Sequence, residues 1–82
     1  MFTIYIIRSE KTEKHYVGFT NNIDQRLKNY NSGGTKSTKS GIPWNLIYKE
    51  EYESKTLAWK REQQIKKFKG GQAFKKLIGG VA

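Results

Sequence analysis

Few side chains in this sequence can do acid–base, nucleophilic or metal chemistry. There is no cysteine, so there is no disulfide framework, thiolate metal site or thiol nucleophile. His15 is the single histidine. A His-pair zinc site is therefore out, and a Ser-His-Asp triad would have only His15 as its base, with no local sequence to support it. No P-loop, dinucleotide-type glycine pattern or H-E-x-x-H occurs. What remains is tyrosine, arginine and carboxylate. Tyr5 and Tyr16 lie in two short apolar runs. Arg26 and Tyr30 stand at i and i+4, one above the other on a helix. Glu62 precedes Lys66 by the same spacing, an ordinary helical ion pair. The other acids (Glu10, Glu13, Asp24, Glu50, Glu51, Glu53) are scattered, which disfavours the carboxylate cluster of a two-metal site.

These residues need elements to position them. Phe2 to Arg8 is rich in Ile, Tyr and Thr and predicts a strand with Thr3, Tyr5 and Ile7 on one face and Phe2, Ile4 and Ile6 on the other. A polar turn, Ser9 to Lys14, leads to a second strand, His15 to Phe19, with Tyr16 and Gly18 sharing a face; the short link predicts an antiparallel hairpin. Both tyrosine hydroxyls should then be free to seek water or a partner. Asn22 suits an N-cap and Gln25 can close a capping box. The following helix buries Ile23, Leu27 and Tyr30 and stops at Asn31-Ser32-Gly33-Gly34. Thr35 to Gly41 holds only Lys, Ser, Thr and Gly and predicts an exposed, mobile loop. Trp44 to Tyr52 is the third strand, alternating Trp44, Leu46 and Tyr48 against Asn45, Ile47 and Lys49.

Ser54 caps the longest helix, Lys55 to Lys69, ended by Gly70-Gly71. Its apolar stripe is Leu57, Ala58, Ile65 and Phe68. Counting from Leu57 at about 100° per residue, the stripe centres near 50°. Arg61 falls nearer that centre than Glu62, which sits at the border. Gln72 to Ile78 predicts a last short helix folding Phe74, Leu77 and Ile78 onto the core. The order β-β-α-β-α-α makes an α+β fold, a small three-stranded antiparallel sheet flanked by helices.

The 82 residues allow one domain. Sixteen Lys and Arg against seven Asp and Glu give a net charge of +9, which points to an anionic partner, nucleic acid before membrane surface. Eleven aromatics are too many for a disordered basic tail. The longest apolar run, Ile4 to Ile7, is far short of a membrane span, and Arg8, Glu10 and Lys11 interrupt any signal peptide. A cytoplasmic protein is expected.

Thr3-Ile4-Tyr5, Tyr16-Val17-Gly18, Arg26 with Tyr30, and Glu62 within Ala58-Trp59-Lys60-Arg61-Glu62 together closely resemble the GIY-YIG nuclease superfamily. The resemblance runs over nearly the whole chain. It is similar to the small standalone bacterial members, and to the catalytic domains of the excision-repair incision subunit and of GIY-YIG homing endonucleases. Thr3 stands where the family has its first glycine, Val17 where it has isoleucine, and Tyr30 where many relatives carry His. The resemblance implies that residues 1–82 form one GIY-YIG-like domain. It implies a divalent-metal-dependent endonuclease that nicks DNA with low sequence specificity, in repair or recombination.

It further implies one Mg²⁺ or Mn²⁺ ion on Glu62, with waters and phosphate completing its shell, and no small-molecule cofactor. Arg26 would clamp the scissile phosphate, Tyr30 would orient it or relay a proton, and Tyr5 or Tyr16 would take the proton of the attacking water. Lys36 and Lys39, with Thr35, Ser37 and Thr38, would contact the DNA backbone, as would Lys66 among the C-terminal lysines Lys67, Lys69, Lys75 and Lys76. A monomer is expected, with a dimer as the alternative. A non-catalytic nucleic-acid-binding module on the same scaffold is the competing reading.

Overall fold

The N-terminal strand forms the centre of the sheet because its side chains are apolar on both faces. In the computed structural model, which describes residues 1–34, 36–68 and 71–79, β1 (Phe2–Ser9) lies between β2 (His15–Thr20) and β3 (Trp44–Tyr52). Both neighbours run antiparallel to it. Ile4, Ile6 and Ile7 are fully buried and Tyr5 is 2% exposed. Each such side chain stabilises the fold by about 1.5–3 kcal/mol. Helix α1 (Ile23–Asn31) covers the Tyr5/Ile7 face with Ile23, Leu27 and Tyr30, joined there by Trp44. Helices α2 (Lys55–Lys67) and α3 (Gln72–Gly79) cover the Ile4/Ile6 face with Ala58, Ile65 and Phe74. The order is the expected β-β-α-β-α-α, and Phe74, Leu77 and Ile78 do fold back on the core. No helix among the described residues is long and apolar enough to cross a membrane.

Four local expectations are corrected. Asn22 caps α1 through Gln25 N–H, but the Gln25 side chain donates to Asn29 instead of closing the box. The hydroxyl of Thr20 accepts the Asn22 N–H in its place, so the strand end and not the helix completes the cap. The segment after α1 is no loose loop. Lys36–Gly41 winds into a 3₁₀ turn with Thr38 and Gly41 buried. Trp44 donates its indole N–H to the Thr38 carbonyl at 2.8 Å, Ser9 donates to the Gly41 carbonyl at 2.6 Å, and the Trp44 ring lies where a Cβ on Gly41 would be. Thr35, Lys69, Gly70 and the Ser37 side chain, all named above, lie outside the described residues.

The third correction is on β3. Ile6 pairs with Tyr48 and Ile7 with Leu46, leaving Ile47 as the extra residue of a bulge. The alternation changes phase there. Trp44 and Leu46 join the Tyr5 cluster while Ile47 and Tyr48 both pack on the Ile4 cluster. The fourth is on α2, where Leu57 is 54% exposed. Without it the buried face centres on Ala58 and Ile65, close to 90° at about 100° per residue, rather than 50°.

Candidate active site

Tyr5 stands in the middle of the central strand, paired with Gly18 across the hairpin. Its ring crosses directly over that glycine: a Cβ on Gly18 would collide with the Tyr5 hydroxyl and come within 2.7 Å of Cζ. Gly18 is thus the clearance that lets a buried tyrosine extend toward α1. There the Tyr5 hydroxyl meets that of Tyr30 at 2.8 Å. Of the two outcomes open to this hydroxyl, water or a partner, α1 supplies the partner and closes that face. Tyr30, 4% exposed, is the hub of the cluster. Its ring centroid lies 6.1 Å from Tyr5, 5.6 Å from Tyr16 and 6.4 Å from Trp44. Tyr16, on the edge strand β2, is 43% exposed and its hydroxyl makes no hydrogen bond among the described residues.

Arg26, one turn before Tyr30, is exposed, and its guanidinium makes no ion pair or hydrogen bond among the described residues. Its charge still reaches both inner tyrosines. Burial pushes the Tyr5 phenol far above its ordinary range, the Tyr30 hydrogen bond and charge add to that, and Arg26 opposes it. Burial also raises Tyr30, where the Tyr5 hydrogen bond and Arg26 pull down while Tyr16 and the Glu62 carboxylate push up. Tyr30 is therefore within electrostatic reach of Tyr5, Tyr16, Arg26 and Glu62, and the five side chains come from β1, β2, α1 and α2.

Glu62 is 7% exposed, more buried than Arg61, so the order in which periodicity ranked these two is reversed. On the recentred face both lie about 50° from the middle, on opposite sides. The Glu62 carboxylate is felt at Tyr30, whereas Arg61 turns to β3. Arg61 there grips Glu50 through Nε and Nη2, both at 2.9 Å, and the Tyr48 and Tyr52 hydroxyls donate to the same carboxylate. Sequence reading passed over this cluster. Its trace was Tyr48, Glu50 and Tyr52 at a strand period of two.

Lys36 and Lys39 are exposed on the 3₁₀ turn, which touches α1 and is pinned by Trp44. No described contact joins either lysine to the tyrosines. Lys66 does touch the group, with Nζ 3.4 Å from Glu62 Oε1. A small cavity of about 180 Å³ opens beside Tyr16, walled by Lys14, Ser40 and Trp44 among others. A larger one of about 610 Å³, lined by His15, Ile47 and Ile78, contains none of these five residues.

The GIY-YIG catalytic domain family model matches residues 1–75. The chain belongs to the GIY-YIG family. Among its relatives, the UPF0213 protein of Staphylococcus haemolyticus is 38% identical over 73 residues, 88% of each chain. The UPF0213 protein of Clostridium perfringens is 41% identical over 70 residues, 84% of this chain and 74% of the other. The solution NMR structure of the UPF0213 protein from Bacillus halodurans superposes with a TM-score of 0.61 at 27% identity, over 96% of this chain and 84% of that one. GIY-YIG proteins are a nuclease family that generally uses a divalent metal.

The donor set here suits such an ion. Gln63 and Lys66 both contact Oε1 of Glu62, leaving Oε2 without a hydrogen bond among the described residues. Among the described residues no buried side-chain oxygen is unsatisfied, so Oε2 is within reach of solvent. Among the described residues no three His, Cys, Asp or Glu side chains gather to make a cage. A hard cation held by one carboxylate would draw its other ligands from water and phosphate oxygens.

Proposed function

We propose that this chain is a divalent-metal-dependent endonuclease that hydrolyses DNA phosphodiester bonds, nicking one strand with low sequence specificity. The observation that carries this is the meeting of the Tyr5–Tyr30 hydroxyl pair, Tyr16, Arg26 and Glu62 from four separate elements. A buried hydroxyl pair next to an unpaired guanidinium and a carboxylate is more than a sheet needs for packing. In the reaction a water oxygen bonds to phosphorus, the P–O3′ bond breaks, and the water's proton passes to a base.

Each residue then has a task. Arg26, exposed and unpaired, offers the planar pair of donors that suits phosphate oxygens. Glu62 holds Mg²⁺ or Mn²⁺, which when bound stabilises negative charge on the leaving 3′ oxygen. The proton acceptor is Tyr5 or Tyr16, and their settings differ. Tyr16 meets solvent directly. Tyr5 is held above its ordinary range by burial, and a proton it takes up has a route onward through Tyr30. Lys36, Lys39 and Lys66 supply charge for the backbone.

Supercoiled plasmid incubated with Mg²⁺ or Mn²⁺ is the test. Wild type should convert it to the nicked form, and Glu62→Ala and Arg26→Ala should each lose at least about 100-fold in rate. A wild-type protein that cuts no form of DNA with either metal would sink the proposal. Salt-sensitive binding that survives Glu62→Ala, without cleavage, would establish the non-catalytic module instead.

A further inference from the structure

Along α2, where its buried face gives way to solvent, runs a stripe that the hydrolytic reading uses only in part. Lys55, Trp59, Glu62 and Lys66 recur at i, i+4, i+7 and i+11, a single stripe along the helix. Trp59 is the anomaly on it. The residue is 51% exposed and its indole stacks on no other ring among the described residues. The other tryptophan, Trp44, is 6% exposed and bonded through its N–H. Lys55 lies one turn before Trp59, and Lys66 lies beyond it past Glu62; both are exposed. Three residues of helix, about 4.5 Å of rise, separate Trp59 from Glu62.

A flat aromatic face between two cations, three residues along α2 from the proposed metal carboxylate, fits one ligand chemistry. It fits an unstacked nucleobase whose flanking phosphates lie along the lysines. A base inside a continuous duplex has both faces covered by its neighbours and cannot offer one to the indole without being flipped out. We infer that Trp59 is a base-stacking platform and that the preferred substrate has an unpaired nucleotide beside the scissile phosphate, as in a single strand, flap or junction. The inference rests on the nuclease reading for the role of Glu62, but the contact itself is a matter of binding.

The test is run without metal, in chelator, so that nothing is cut. Affinities for fluorescein-labelled oligothymidylate and for a duplex of equal length are read by anisotropy, and tryptophan emission is followed in parallel. Trp59→Ala should bind the single strand roughly 10- to 100-fold more weakly and the duplex less than about threefold more weakly. Trp59→Phe should keep most of the affinity. Oligothymidylate should quench wild-type emission but not that of Trp59→Phe, which retains only Trp44. Unchanged single-strand affinity in Trp59→Ala, equal losses on both DNAs, or quenching that persists in Trp59→Phe would each overturn the platform and leave the nuclease proposal standing. A wild-type protein that binds neither DNA overturns both.

Discussion

At the scale of single side chains, the proposed tyrosine acceptor, Tyr5 or Tyr16, would set the pH at which the site works. A phenol acts as a base only when deprotonated, so the rate of nicking should rise with pH from neutrality into the alkaline range. Burial raises Tyr5, which places its limb of the profile beyond the ordinary tyrosine value near 10. Replacing the true acceptor by Phe should lower the rate about 10²- to 10⁴-fold and flatten this rise; replacing the other tyrosine should keep the rise. Profiles of kcat/KM for Tyr5→Phe and Tyr16→Phe, measured between pH 6.5 and about 10, decide between them. A profile that falls with pH in wild type would rule out a tyrosine base. The resemblance to the GIY-YIG family, more than residue type and spacing, picked out the five side chains, since periodicity ranked Arg61 ahead of Glu62. Neither showed that the hydroxyl at position 5 is internal. Period two says which residues share a face of β1, but α1 and Tyr30 decide that this face is closed.

At the scale of elements, α2 is fastened to the sheet by a polar clamp as well as by Ala58 and Ile65. Glu50 accepts from Arg61, Tyr48 and Tyr52. Burial alone would raise its pKa, but those hydrogen bonds reverse the effect and hold it at about 2 against an ordinary 4.5. The clamp is therefore complete above pH 4.5 and is lost as the pH falls toward 2. Glu50→Gln should destabilise the protein by about 1–3 kcal/mol at neutral pH. It should also flatten the decline of the urea midpoint between about pH 5 and 2, in a series of chemical unfolding curves at stepped pH; an unaltered decline would remove Glu50 as its source. Element order, the β1–β2 hairpin and the stripe of α1 were legible because short apolar runs bounded by caps and polar turns have few other solutions. The phase of α2 was not. Leu57 counts as apolar in a periodic sum wherever the helix points, and the bulge at Ile47 leaves no mark on composition.

At the scale of the whole molecule, the net charge of +9 was plain in the sequence, while its placement was not. Lys36 and Lys39 ride on an anchored 3₁₀ turn beside α1, and Lys66 leans on Glu62. If the two turn lysines each neutralise a phosphate, Lys36→Ala with Lys39→Ala should weaken duplex binding and reduce the slope of log affinity against log salt by about 2. Anisotropy titrations from 50 to about 300 mM salt read that slope, and an unchanged slope removes both lysines from the interface. The bulge bears on how the molecule meets its own kind. β3 is a nine-residue edge strand, long enough to template a strand from another copy. Ile47 breaks its hydrogen-bonding rhythm in mid-run, and Lys49 and Glu51 put charge on the stretch beyond. A straight partner strand can match one half of that edge but not both. The same extra residue that lets β3 serve two cores thus guards this small, strongly basic protein against edge-to-edge aggregation.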